Sequence, residues 1–125
     1  MALDGRMIYR RYLDPEIPEE APNVMVEQMV GLPRRAVVFH HWRGEWVFDP
    51  LTLHETIMAD SAEGVRRLTP VDRATAERVA TSFGQVLPSE VELRRLMEAG
   101  AAEMYAVDPM MKQPPLPGVP GSPVG

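Results

Sequence analysis

Ala36-Val37-Val38-Phe39-His40-His41-Trp42-Arg43-Gly44-Glu45-Trp46-Val47-Phe48 is the stretch whose reading decides the fold. Two runs rich in β-branched and aromatic residues flank a glycine-containing connection, which predicts a β-hairpin over about 36–49. Successive strand side chains alternate between faces. A two-residue Arg43-Gly44 loop therefore places Val37, Phe39, His41, Trp46 and Phe48 on one side. A three-residue Trp42-Arg43-Gly44 loop shifts the partners by one. The two-residue register is favoured because it gathers the largest apolar rings into one cross-strand cluster.

Toward the C-terminus, Asp49-Pro50 closes the hairpin. Leu51 to Met58 reads as strand or short helix, and an Asp cap before a proline at the first helical position favours helix. Ala59 to Gly64 is turn-like. Thr69-Pro70-Val71-Asp72 supplies a cap, a proline and an acid for a helix over about 70–83. Ala76, Val79, Ala80 and Phe83 form its buried stripe, and Gly84 stops it. Ser89 and Glu92 make a capping box for a second helix over about 89–99, with a stripe of Leu93, Leu96 and Met97. Glu90–Arg94 and Arg94–Glu98 are spaced as ion pairs on its wet face. Gly100 reads as its stop, Ala101 to Met104 can add a turn, and Met104 to Val107 reads as an edge strand.

Toward the N-terminus, Met7 to Leu13 is β-like. Pro15, Pro18 and Pro22 make Asp14 to Pro22 a non-helical connector. Val24 to Val30 fits a strand or one short helix, ended by Gly31. The fold class is thus α+β: a small antiparallel sheet built on the hairpin and packed by the helix pair. The organisation is a strand and Pro-rich connector (1–33), a compact body (34–108) and a Pro/Gly-rich extended tail (109–125).

In that tail Pro114, Pro117, Pro120 and Pro123 recur every third residue, the period of a polyproline II rod. Leu116 and Val119 share a second edge of such a rod. The segment is a linker, or a recognition arm that loses little entropy on docking.

Composition excludes several function classes. With no cysteine there is no disulfide framework, thiolate nucleophile or Cys-based zinc site. A net charge of -5 opposes a main role in holding nucleic acid, although Trp42, Arg43 and Trp46 put stacking and cationic groups at one hairpin tip. Basic charge is carried by twelve arginines and Lys112, with doublets at 10–11, 34–35, 66–67 and 94–95 spread along the chain. No secretory h-region or run of about eighteen apolar residues appears, so the expected location is the cytoplasm or a virion, with no membrane partner.

The chemistry-bearing residues do not assemble into a catalytic pattern. His40 and His41 are adjacent on a strand and point to opposite faces. His54-Glu55 begins an HExxH pattern, but Met58 stands where the second histidine belongs. There is no nucleophile elbow and no phosphate-binding glycine loop. No catalytic residue, metal or cofactor is assigned.

The expected function is a non-enzymatic structural or accessory subunit of a larger assembly, most naturally a phage virion component, oligomeric or complex-bound and contacting protein neighbours through extended arms. Its candidate partner-binding residues are Pro114, Leu116, Pro117, Val119 and Pro120 in the tail, and Trp42, Arg43 and Trp46 at the hairpin tip. The alternative is a small intracellular binding or inhibitor module, antitoxin-like, using the tip and the acidic surface.

Overall fold

The apolar runs on either side of Arg43-Gly44 pair as expected, but through a longer turn. In the computed structural model, which describes residues 4–13, 22–63 and 67–107, β1 is Met7–Leu13, β2 is Pro22–Gln28, β3 is Arg35–His40 and β4 is Glu45–Phe48. Val37 lies opposite Phe48 and Phe39 opposite Trp46. The four residues His41–Gly44 form the loop: the Arg43 and Gly44 N–H groups donate to the His40 carbonyl at 3.1 and 2.8 Å, and Gly44 takes φ +68°. The register is therefore displaced by two from an Arg43-Gly44 loop. A shift of two preserves strand parity, so Val37, Phe39, Trp46 and Phe48 still share a face. His41 moves from the strand into the turn, where its ring meets Phe39 at 4.9 Å and Phe83 at 5.0 Å.

The α+β class holds, with one antiparallel sheet ordered β4-β3-β2-β1-β5. Val24 to Gln28, open between helix and strand in the sequence, belongs to central strand β2, and every residue from Asn23 to Gln28 is buried. Of the expected connector only Pro22 is described, and it opens β2 rather than closing an arm; residues 14–21 and the tail 109–125 lie outside the described residues. α1 spans Pro50–Glu63, the helix that Asp49-Pro50 favours. It continues through Ala59 to Glu63, read as turn, because no glycine or proline interrupts the chain before Gly64.

The expected helix over about 70–83 begins three residues later. Leu68–Val71 is β5, paired antiparallel with β1, Leu68 opposite Tyr12 and Pro70 opposite Arg10. β5 is an outer strand, where a residue without an N–H is tolerated. α2 is Arg73–Ser82, and its cap Asp72 accepts from the Thr75 N–H at 2.8 Å. Gly84 ends it as expected: Gly84 and Gln85 donate back to the Thr81 and Ala80 carbonyls at 2.9 and 3.0 Å, with Gly84 at φ +77°.

α3 is Glu90–Val107 and passes straight through Gly100, so Met104 to Val107 is helix and not an edge strand. Gly100 serves packing there. A Cβ at this position would fall on the Phe48 ring and lie 2.6 Å from the Phe48 Cβ. Ser89 caps the helix by accepting from the Glu92 N–H at 3.2 Å. The Glu92 side chain pairs with Arg95, one position along from the expected Arg94 pairs.

The two faces of the sheet carry separate cores. On one, Tyr9, Val24, Val26 and Val37 pack with Ala76 and Ala80 of α2 and with Leu93 and Met97 of α3. On the other, Tyr12, Met25, Ala36, Val38 and Leu68 pack with Leu53 of α1. α1 touches both β3 and β5, so it crosses the sheet from one side to the other. Among the described residues no helix is long and apolar enough to cross a membrane.

Two predictions follow from these contacts. Gly100→Ala, which in an exposed helix raises stability, should instead lower it by about 1–3 kcal/mol through overpacking against Phe48, read from urea unfolding. Hydrogen bonds from Thr75 hold the Asp72 carboxyl below its ordinary value of 3.8. Because the folded-state pKa lies below the unfolded one, the stabilisation is complete above that ordinary value and is lost as pH falls through the lowered one. Asp72→Ala should therefore lower the melting temperature at neutral pH, and the gap from wild type should close in acid.

Candidate functional site

Strand alternation separates the residues of the hairpin tip. Trp46 points to the α2–α3 face, its ring 5.3 Å from Phe39 and packed against the larger core. Trp42 sits in the turn, 69% exposed, and stacks on His40 at 4.4 Å. Arg43 is exposed beside it and pairs with Glu45 at 2.7 Å. The structure thus brings Trp42 and Arg43 together at the surface and leaves Trp46 in the body. Pro114, Leu116, Pro117, Val119 and Pro120 lie outside the described residues.

His40 points to the α1 face and donates from Nε2 to Asp49 Oδ2 at 2.8 Å. The same carboxylate accepts the Thr52 hydroxyl at 2.7 Å and, through Oδ1, the Thr52 N–H at 3.1 Å. A histidine, an aspartate and a hydroxyl are present, but not in the order of a nucleophilic triad. There the hydroxyl would donate to the imidazole nitrogen opposite the carboxylate. Here it donates to the carboxylate itself, and the group caps the first turn of α1. Asp49 was legible as a helix cap; the partnership with His40 needed the hairpin register.

Glu27 carries the second network, which sequence reasoning missed. Its buried carboxylate accepts from Arg10 at 2.7 Å and from Arg34 at 2.8 Å. β2 pairing places Glu27 on the same face as Met25, and a carboxylate there needs charged partners to survive burial. One oxygen binds β1; the other binds the loop between β2 and β3. Glu27 thereby holds that loop against the sheet. The available signal was the one acid, Glu27, in the run Val24 to Val30, whose neighbours apart from Gln28 are all apolar.

Beside that loop lies a groove of about 360 Å³. Its apolar walls are Leu32 and Pro33 from the loop, Pro50 and Leu51 from the start of α1, and Met104 from the last turn of α3. Arg34 and His54 also border the groove, whose lining is almost wholly apolar. Leu32 is 73% exposed and Leu51 63%, so large apolar side chains at the groove face solvent. The volume falls within the roughly 300–1,000 Å³ of clefts that take ligands, and the lining suits an apolar one.

Among the described residues no cluster of three or more metal-ligating side chains occurs. Compared with protein-family models, with curated proteins and with solved structures, the chain finds no match.

Removing the Glu27 carboxylate leaves Arg10 and Arg34 without their shared anion. Glu27→Ala should cost roughly 3 kcal/mol in urea unfolding, the low end for a broken buried pair because Arg34 can rehydrate. Glu27→Gln, which retains one acceptor, should cost less.

Proposed function

We propose that this chain is a non-enzymatic accessory or structural subunit of a larger protein assembly, of the kind that phage virions contain, working in the cytoplasm or in the particle. Its body is the helix-packed sheet, and its contacts with neighbours run through the Pro-rich C-terminal arm. The observation that carries this reading is the exposed apolar groove next to the end of α3. Leu32 and Leu51 are exposed at it, and the sequence runs on from the end of α3, three residues beyond Met104, into the segment bearing Leu116 and Val119.

The physics favours many copies. Ordering an extended arm costs about 1–2 kcal/mol of backbone entropy per residue, which one small apolar contact barely offsets. A proline-rich segment loses less, and repeated contacts in an assembly add through avidity.

A second reading rests on Trp42, exposed and braced on His40 beside Arg43. Such a tip fits a small binding or inhibitor module, since aromatic and arginine side chains anchor interfaces.

Deleting residues 109–125 separates the two. On the assembly reading the truncated chain keeps its circular dichroism spectrum, while sedimentation velocity shows loss of the larger species formed by the full chain. Undiminished assembly by the truncation overturns that reading. Loss of partner capture on Trp42→Ala, with the tail dispensable, supports the inhibitor reading.

A further inference from the structure

We infer that the groove between Leu32, Leu51 and Met104 is the receptor for this chain's own C-terminal segment, residues 114–120, with Leu116 and Val119 as the inserted side chains. The inference rests on the reading of the tail as an arm, and it names the surface that the arm occupies.

Three observations converge on this occupant. The first is continuity. Met104 lines the groove, α3 ends at Val107, and Pro114 lies seven positions beyond Val107. At about 3.1 Å per residue that link spans roughly 22 Å, ample to return to a groove that starts one helical turn away. Short tethers hold an attached segment at effective concentrations in the millimolar range, so even weak apolar docking is populated.

The second is chemical match. The walls are aliphatic or proline, and the segment Pro114-Pro115-Leu116-Pro117-Gly118-Val119-Pro120 contains no charge and no polar side chain. With three residues per turn, its Leu116 and Val119 fall on one edge and Pro114, Pro117 and Pro120 on another. Gly118 lies on the third edge, where the absence of a side chain lets the backbone approach a wall.

The third concerns the backbone. A polyproline rod makes no internal hydrogen bonds, so its carbonyls seek external donors. Arg34 and His54 line the same groove. Arg34 is held by Glu27, with Nη1 donating to the buried carboxylate at 2.8 Å. Arg34 is thus a fixed cation at the border of a groove whose lining is almost wholly apolar, and the carbonyls of a docked rod on its outer side stay in water.

Identical chains carry identical grooves and identical segments. The same contact can therefore close within one chain or be exchanged between copies, as in domain swapping. Exchange is what the assembly reading adds; the groove's occupant is the same in both.

The test uses the full chain with a photoreactive benzoylphenylalanine at position 116, prepared from an equal mixture of unlabelled and 15N-labelled protein. Crosslinked peptides are mapped by mass spectrometry, with and without Leu51→Glu. Leu51 is largely exposed, so this change leaves the core intact, as circular dichroism should verify. Crosslinks from 116 to Leu32, Leu51 or Met104, reduced about tenfold or more by Leu51→Glu, are expected. Mixed-isotope products at those positions support both the groove and the exchange of arms. Groove crosslinks confined to single-isotope products support the groove and count against the assembly reading. Inter-chain crosslinks at other residues, insensitive to Leu51→Glu, overturn the groove and leave the arm reading standing. Absence of any crosslink overturns the groove.

Discussion

Burial of β2 on both of its faces is the constraint on which the rest of this structure depends. Val24 and Val26 enter one core and Met25 the other, all three fully buried. A strand covered on both sides needs a layer against each face, which α2 and α3 supply on one and α1 on the other. Because adjacent residues serve opposite cores, slipping the register by one would exchange their surroundings and unpair Glu27. Asn23 secures the strand's start: its amide donates to the Phe39 carbonyl at 2.7 Å and its oxygen accepts from the Val24 N–H at 2.8 Å.

The same strand connects the core to the candidate interaction surface. Glu27 is buried because β2 is central, and its bond to Arg34 fixes one wall of the groove. Phe48 at the end of β4 receives α3 at Gly100, and the same helix brings Met104 to that groove. The surface thus collects residues from three parts of the chain. Core packing, rather than local sequence, sets the spacing of its walls.

The hairpin shows what kind of sequence inference survives. Its loop is four residues long instead of two, yet the apolar face was identified correctly because face membership depends only on parity. The α2 stop at Gly84 and the α3 start at Ser89 were legible because capping is local. Thr69-Pro70-Val71-Asp72 misled because its first three residues suit a helix start and an edge strand equally. What decides between them is the β1 neighbour sixty residues earlier. Gly100 misled for a similar reason. A glycine late in a helix signals a stop unless another element needs the space, and Phe48 does.

The sequence by itself determined the α+β class, the hairpin and its apolar face, and the local caps. These follow from short-range rules of alternation, capping and backbone geometry that act within a few residues. Tertiary structure alone decided that Val24 to Gln28 is the central strand, that 68–71 closes the sheet, that the helix continues through Gly100, and that Trp42 and Trp46 part company. It also brought Leu32, Leu51 and Met104 to one groove. Each of these depends on which distant segment lies alongside, and pairing between distant segments is settled by mutual burial, which no local pattern encodes.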